Sequence, residues 1–258
     1  SEPFQPWTGR SDIEIITTEL VLRDLSIASA SLTRWQKTAK SGNKPAAAAA
    51  AMLEQVVAGL DTGKPLRALQ HVDRRAAGWE AVRSLNLLSD KPILYVANVN
   101  EQDAASGGNS RAVAAVREIA KHEGAEVVPI CAAIESQVAA LDTEQERAEY
   151  LAAVGLSEPG LNRLIRAGYA LLTLITFFTV GPKEDRAWTI RRGTTAQDAA
   201  GKIHSDMARG FIRAEVIGYE DFLACGSEGA ARDQGKLRLE GKEYQVRDGD
   251  LMHFRFSV

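Results

Sequence analysis

From Thr18 onward, apolar residues recur at steps of three and four residues. They form one stripe, which is typical of an amphipathic helix. The members of this stripe are Leu25, Ala28, Leu32, Trp35 and Ala39. A second stripe follows the alanine run 46–51, since alanine is the strongest helix former. Gly42 suits the end of the first helix and Pro45 the first turn of the second, so the pattern predicts an antiparallel helical hairpin.

The pattern changes at Ile93, where a run of five apolar or aromatic residues follows Lys91-Pro92. Such a run predicts a short strand that is covered on both faces. The run stops in a polar tip, Asn98 to Asp103. The carboxyl ends of strands form the ligand crevice of open α/β sheets, so this tip is a candidate recognition loop, with an ordinary turn as the alternative.

A helix and a second strand follow that tip. Asn109 or Ser110 can cap a helix over 111–122, and the apolar run 127–131 predicts another buried strand. The unit then reads β-α-β with parallel strands, and its second tip, 131–134, falls beside the first. The small residues of that tip either leave room for a flat ligand or permit close packing.

Further on, a Thr143-x-x-Glu146 capping box and a helix over 160–172 precede a change to extended spacing near Leu174. Short alternating segments and one helix follow. In order they are strands at 177–180 and 187–190, a helix at 196–208, and strands at 215–217, 237–239, 244–246 and 252–256. A short mixed sheet crossed by one helix predicts a β-grasp, ubiquitin-like arrangement.

The charge of the chain is unevenly distributed. The 258 residues carry a net charge of −3, which predicts no strong affinity for nucleic acid by itself. Residues 18–84 hold ten Lys/Arg against six Asp/Glu, whereas residues 85–176 hold seven against twelve. Residues 177–258 hold thirteen of each. Several arginines there either meet RNA or form a solvated surface: Arg186, Arg191, Arg192, Arg209 and Arg213.

Cysteine and histidine usage excludes several classes of site. Cys131 and Cys225 lie far apart and are expected to be reduced thiols of a cytosolic protein. The four histidines have no neighbour at metal-ligand spacing, so we expect no metal site. The longest apolar run, 169–180, is too short to cross a bilayer, and no signal peptide opens the chain. We therefore expect a protein without a membrane contact.

A phosphate-binding loop is missing from the sequence. Gly63-Lys64 resembles the end of such a loop, but Pro65 follows where Ser or Thr would hold Mg²⁺. No Gly-x-x-x-x-Gly-Lys-Ser/Thr occurs anywhere in the 258 residues. The sequence therefore lacks the machinery that phosphoryl transfer requires.

Long stretches of the chain nevertheless resemble one family. The tip Asn98-Val99-Asn100-Glu101 resembles the altered, Asn-x-x-Glu form of the base-reading motif of P-loop GTPases that is found in the YchF family. This family contains Obg-related, ribosome-binding ATPases. The other matching stretches are 12–14, 37–42, 84–88, 91–101, 128–136, 158–172, 186–188, 210–222, 235–241 and 248–258.

The resemblance implies a fold class and a domain order. It implies an α/β protein in which a partial P-loop NTPase (Rossmann-like) domain carries an inserted helical hairpin and precedes a β-grasp TGS domain. Residues 1–17 would be a lead-in and 18–84 the coiled-coil-like hairpin. Residues 85–173 would be the carboxyl-terminal half of the nucleotide-binding domain, and 174–258 the TGS domain.

The resemblance also implies the site residues. Asn98, Val99 and Glu101 would contact an adenine base, and Cys131, Ala132 and Ala133 would form the supporting second loop. An Asp carboxylate accepts the N1 and 2-amino donors of guanine, whereas adenine offers an acceptor at N1. The extra methylene of Glu101 displaces the carboxylate, and Asn98 can bond the N6/N7 edge of adenine.

Two functions remain open at this point. The first is a ribosome-associated, ATP-binding ATPase and hydrolase that is cytoplasmic and monomeric, with Mg²⁺ held by an amino-terminal part that these residues lack. In that case the 258 residues alone have no catalytic residues and do not hydrolyse ATP. The second is a noncatalytic ribosome or RNA adaptor that uses the helical hairpin and the TGS domain.

Overall fold

The computed structural model describes residues 10–181 and 184–257, and these residues form two compact units. The division falls between Leu164 and Ile165. In the first unit, the helices in chain order are α1 (Arg10–Ala39), α2 (Lys44–Asp61), α3 (Trp79–Arg83), α4 (Glu101–Ala105), α5 (Arg111–Glu123), α6 (Ala132–Ala140), α7 (Glu144–Ala153) and α8 (Gly160–Leu171), the last of which continues across the division. Its strands are β1 (Leu94–Asn98) and β2 (Glu126–Ile130).

The core of the first unit lies between α1 and α2. Asn43 caps α2 by accepting the N–H of Ala46, and Pro45 lies in the first turn. The helices run antiparallel, because Gln36 near the end of one bonds Glu54 in the middle of the other. Their shared core also takes up side chains from the segment that leads to β1. Its fully buried members are Ala28, Leu53, Val56 and Leu66.

The first helix begins earlier than its apolar pattern predicts. α1 starts at Arg10 rather than at Thr18 and thus takes in all of 10–17, a segment with three isoleucines and one threonine. These β-branched residues have modest helix propensity, which is why the sequence signal is weak there. Residues 1–9 of the predicted lead-in lie outside the described residues, and the rest of it, 10–17, is helical rather than a separate segment.

The predicted β-α-β unit is present. β1 and β2 are parallel, with Asn98 paired to Ile130, and α5 connects them. Ser110 caps α5, and Gly124 ends it in the left-handed region. The expectation that β1 is covered on both faces is wrong, since 51% of Val96 is exposed. Within the described residues, β1 pairs only with β2, so less packs against it than in a larger parallel sheet.

The second unit contains a mixed sheet. Its strands are β3 (Leu174–Thr179), β4 (Arg186–Arg191), β5 (Phe211–Gly218), β6 (Arg238–Glu240) and β7 (Asp250–Phe256). Its helices are α9 (Ala196–Ile203), α10 (Ser205–Arg209), α11 (Tyr219–Cys225) and α12 (Glu228–Asp233). In the described part of the chain the order is β4-β3-β7-β5-β6, with β3 parallel to β7 and the other pairs antiparallel. One face of the sheet packs on α9 around the fully buried Phe177.

The structure differs from the sequence predictions at three places in this unit. The single helix predicted over 196–208 is two helices, because His204 has an extended backbone and caps α10. The Nδ1 atom of His204 and the Oδ2 atom of Asp206 are 3.5 Å apart. The strand predicted over 244–246 is reduced to an isolated bridge between Thr195 and Gln245. Helices α11 and α12 were not predicted, since both are short.

None of the helices in residues 10–181 and 184–257 is both long and apolar enough to cross a membrane.

Candidate functional site

The ends of β1 and β2 lie side by side and form the base of the candidate site. Asn98 is the last residue of β1 and pairs with Ile130, the last residue of β2. The N–H of Val99 then donates to the carbonyl oxygen of Ile130 at 2.8 Å, so the contact continues past the strands. The two predicted tips are thus direct neighbours.

Asn98 joins the two tips through its side chain. Its Oδ1 atom accepts a hydrogen bond from the backbone N–H of Ala132 at 3.2 Å. The residue is exposed, so the NH₂ group and the second lone pair of Oδ1 remain in reach of a ligand. Asn98 therefore holds the second tip in place and still presents both a donor and an acceptor at the cleft.

The first tip is a helix start as well as a loop. Asn100 accepts the N–H of Asp103 at 2.8 Å and so caps α4, which begins at Glu101. Sequence reasoning placed only a polar loop here, because a helix of five residues carries almost no periodic signal. Glu101 is exposed, and as the first residue of α4 it has a fixed backbone position.

The second tip combines one buried and two exposed small residues. Cys131 is buried against Ile134, Val138 and Leu151, whereas Ala132 and Ala133 are exposed at the start of α6. Short side chains at these two positions keep the space between the tips open. The thiol of Cys131 serves as a packing group in this position.

A cleft of about 490 Å³ lies between the two tips, in the range typical of small-molecule sites. The residues that line it are Asn98, Val99, Asn100, Glu101, Gln102, Cys131, Ala132 and Ala133. The structure thus brings all six predicted site residues together around one opening. Their contact with an adenine base remains a prediction.

Tyr150 is a neighbour of the cleft that sequence reasoning missed. It lies on α7, packs against the core that contains Cys131, and bonds Gln137 through its hydroxyl. Desolvation and the nearby charge of Glu101 raise its pKa. The sequence offers no signal for this placement, because α7 reads only as an acidic helix with a capping box.

An apolar groove of about 390 Å³ lies on the other side of the first tip. It runs between the first turns of α1, strand β1 and helix α5, and its walls include Ile13, Ile16, Val96 and Val116. Asn98, Val99 and Asn100 line both cavities. The first tip therefore separates a polar cleft from an apolar groove.

The chemistry of the polar cleft is that of hydrogen-bonded recognition. It offers the amide of Asn98, the carboxylate of Glu101 and backbone groups near Val99, which suit the edge of a flat polar ligand. Within residues 10–181 and 184–257, no three His, Cys, Asp or Glu side chains converge in a way that could hold a metal ion.

The fold and the site together define an α/β protein with a ligand cleft at the carboxyl ends of two parallel strands. Residues 174–257 match the family model YchF-GTPase_C, which is described as a protein of unknown function (DUF933). The chain is 51% identical over 247 residues to the ribosome-binding ATPase YchF of Escherichia coli O157:H7 and 50% identical to that of Haemophilus influenzae. These alignments cover 96% of this chain and 66% of each relative.

A solved structure gives the same result. The Schizosaccharomyces pombe YchF GTPase superposes with a TM-score of 0.82 at 32% identity, over 95% of this chain and 65% of that one. The chain belongs to the YchF family, as its sequence resemblance predicted. It spans about two thirds of the length of the relatives that it matches.

Proposed function

We propose that this chain is part of an adenine-nucleotide-binding, ribosome-associated ATPase of the YchF type and carries its base-binding tips. The observation that supports this most directly is the hydrogen bond from Ala132 to Asn98, which holds both predicted loops around one cleft. The bacterial relatives are named ribosome-binding ATPases, which supports both the nucleotide and the ribosome as partners.

Adenine is the base that the cleft suits best. Asn98 can donate from its NH₂ group to N7 and accept from the N6 amino group through the free lone pair of Oδ1. Glu101 begins α4 one methylene longer than the aspartate of the GTPase motif, so its carboxylate is displaced from the N1 position of the base. A buried hydrogen-bonding partner that stays unpaired costs about 1–3 kcal/mol, which is enough to separate two bases.

The phosphates and Mg²⁺ of a nucleotide require a loop that the cleft does not supply. The 258 residues contain no phosphate-binding loop, so we propose that they bind nucleotide weakly and do not hydrolyse ATP alone. Phosphate and Mg²⁺ would then be held by residues outside this chain. Steady ATP turnover above a protein-free blank would contradict this part of the proposal.

We also propose the domain assignment that the resemblance implies. The α1–α2 pair would be the inserted hairpin within 18–84, and residues 85–173 the second half of the nucleotide-binding domain. Residues 174–258 would be a TGS domain, which the strand order β4-β3-β7-β5-β6 supports because it is that of a β-grasp sheet. A ribosome partner places the proposed site of action in the cytoplasm.

A titration with ATP and GTP tests the base preference. Thermal shift of the first unit is followed while each nucleotide is raised to millimolar concentration, because ligand binding raises the unfolding temperature. We expect a larger shift with ATP for the unchanged chain. Glu101→Asp restores the carboxylate position that reads guanine, so we expect that variant to gain response to GTP.

The matched control is Glu118→Asp, the same change at an exposed position of α5 away from the cleft. It is expected to leave both responses unchanged. Equal shifts with ATP and GTP in all three proteins would remove the adenine preference. The absence of any shift in the unchanged chain, together with normal ribosome binding, would favour the alternative.

That alternative is a noncatalytic ribosome or RNA adaptor, and the excess positive charge of residues 18–84 favours it. Co-sedimentation with ribosomes at increasing salt tests it. Binding that weakens steeply as salt rises, without any response to nucleotide, would identify an adaptor, because phosphate contacts depend on released counterions.

A further inference from the structure

Three arginines surround one carboxylate on the outer face of the second unit's sheet. This face is opposite to the one that packs on α9. Arg213 and Glu215 project from β5 on this face, and Arg255 projects from β7. Arg232 reaches the same carboxylate from α12. We call Arg213, Arg232 and Arg255 with Glu215 the arginine cluster.

The centre of the cluster is buried and its rim is exposed. The side chain of Glu215 is 9% exposed, whereas those of Arg213, Arg232 and Arg255 are 50%, 63% and 56% exposed. Arg255 binds both oxygens of Glu215 at 3.0 Å. These hydrogen bonds lower the pKa of Glu215 although its burial acts in the opposite direction, so the carboxylate is ionised at neutral pH.

One carboxylate can neutralise only one of the three guanidinium groups. Arg255 makes the hydrogen-bonded pair, whereas the nearest nitrogens of Arg213 and Arg232 lie 3.7 and 3.9 Å from the Glu215 oxygens. These two contacts are longer than hydrogen bonds. The four side chains of the cluster therefore carry a net charge of +2, which is reduced locally by the Glu228 carboxylate that bonds His253 opposite Glu215. The donors of two guanidinium groups can still serve another partner.

Two arginines of the cluster face each other across neighbouring strands. This lowers the stability of the strand pair, so a structural role alone does not explain it. Arg213 and Arg255 are directly opposite each other on β5 and β7. Like charges at such a position destabilise an antiparallel pair. Local conflicts of this kind are expected at functional surfaces.

The cluster lies at the open end of this face. At the other end, Ile217 and Leu251 are buried together with Ala231 of α12. At the cluster end, the neighbouring β6 residue Leu239 is exposed and lies opposite Glu215. A partner can thus approach the guanidinium groups over the strands, with an apolar side chain beside them.

We propose that the arginine cluster binds the phosphate backbone of RNA. This inference rests on the proposed association with ribosomes, whose RNA offers closely spaced phosphates. Guanidinium groups bind phosphate oxygens through two parallel hydrogen bonds. Here strand β5 carries Arg213 and helix α12 carries Arg232. Glu215 anchors the group, and Arg213 and Arg232 supply the contacts.

The test is the double variant Arg213→Ala/Arg232→Ala. It keeps Arg255, so Glu215 does not become an unpaired buried charge. Binding of the 258-residue chain to ribosomes and to a 20-base-pair RNA duplex is measured as salt is raised. Losing two phosphate contacts should lower the slope of log K against log salt by about 1.4–1.8 and the affinity at 0.1 M salt some tens-fold.

The matched control is Lys202→Ala/Lys242→Ala, which removes the same charge from exposed positions of α9 and of the segment after β6 in the same unit. It is expected to lower the slope by much less. Equal losses in the two double variants would overturn the cluster as a binding surface while leaving the proposed ribosome association intact. Loss of ribosome binding in the cluster variant alone, with no duplex binding by any protein, would identify a protein partner and overturn the RNA assignment.

Two further outcomes separate the cluster from the proposed function. An unchanged chain that binds the duplex through the cluster but never sediments with ribosomes would support the surface and contradict the ribosome association. Binding to neither would contradict both. Glu215→Gln provides an independent check, since it frees Arg255 from its ion pair. We expect a salt slope steeper by about 0.7–0.9, whereas a purely structural cluster would give lower stability and no tighter binding.

Discussion

The two units of the chain build their cores in different ways. In the second unit the core lies on a five-stranded sheet, and Phe177 in the middle of that sheet is fully buried. In the first unit β1 and β2 form a two-stranded parallel pair, and Val96 on β1 is half exposed. The first unit is held instead by the helices around Leu53 and Leu60. The cleft between the two tips thus lies on the less supported sheet and the arginine cluster on the better supported one.

The largest expected effect comes from comparing the loss of unfolding free energy in Phe177→Ala with the loss in Val96→Ala. Phe177 packs against the rings of Trp188 and Phe254, so its removal leaves a cavity and should cost about 3–5 kcal/mol of unfolding free energy in the second unit. Val96 has water on one side, and its truncation should cost about 0.5 kcal/mol or less. Hydrogen exchange, read separately for the peptides of each unit, measures both changes.

The two units need not unfold together, which is why the exchange is read for each unit. Faster exchange in the second unit alone is the expected result for Phe177→Ala. If Val96→Ala lowered the unfolding free energy as much as Phe177→Ala does, β1 would be packed as tightly as β3. The contrast between the two sheets would then not hold.

A second test concerns the link between α1 and the segment that enters β1. Asp24 is fully buried on α1, and its two carboxylate oxygens accept the N–H groups of Leu88 and Ser89 at 3.1 and 2.6 Å. Asp24→Ala leaves both donors buried and unpaired, so we expect a loss of about 2–4 kcal/mol in the first unit. Asp24→Asn keeps one acceptor and should lose less.

Urea unfolding of the first unit, followed by hydrogen exchange of β1, measures this loss. If both Asp24→Ala and Asp24→Asn were as stable as the unchanged chain, the N–H groups of Leu88 and Ser89 would have other partners. The carboxylate of Asp24 would then not hold the segment that enters β1.

The strength of each local signal decides how much of this structure was predictable. Pro45 predicted the start of α2, and the alternative caps Asn109 and Ser110 predicted the start of α5, because caps and turns are local chemistry. The β-α-β unit followed from two apolar runs. Short helices such as α4 and α11 have too few residues to show a period, and the break at His204 depends on contacts within the folded unit.

The candidate site was predicted in the same uneven way. The motif identified Asn98 and Glu101, and the shared strand ends placed Ala132 beside them. Tyr150 could not be found, because it packs against the core beneath Cys131 from a helix about twenty residues further along the chain. The arginine cluster was also only partly visible, since Arg213 was noted but its convergence with Arg232 and Arg255 depends on sheet register.

A third test addresses the contact that joins the two tips. Asn98→Ala removes the acceptor for the Ala132 N–H, which is exposed to water at this site and can be solvated. We therefore expect a stability loss of about 1 kcal/mol or less, with a much larger loss of the ATP-induced thermal shift. An unchanged response to ATP would mean that Asn98 positions neither the tip nor the base.

The smallest expected effect concerns a tyrosine, a carboxylate and an arginine that occur together in each unit. Tyr95 donates to Glu123, which also pairs with Arg67, and Tyr244 donates to Asp250, which also pairs with Arg238. Burial raises the pKa of both phenols, and hydrogen bonding to the carboxylate adds to it. For Tyr95 the pKa reaches about 12.

A phenol whose pKa rises on folding stabilises the folded state as long as it is protonated. For Tyr95 this contribution is complete below pH 10, the value of a free tyrosine, and is lost as the pH rises from 10 through 12. A difference of two between the folded and unfolded pKa corresponds to about 2.7 kcal/mol, but water screens this partly exposed group, so we expect about 1 kcal/mol or less.

Tyr95→Phe should remove that pH dependence from the first unit, whereas Tyr244→Phe should affect only the second. The difference in phenolate absorbance between the unchanged chain and Tyr95→Phe gives the pKa directly, and a value near 10 would mean that the bond to Glu123 does not hold β1 against α5.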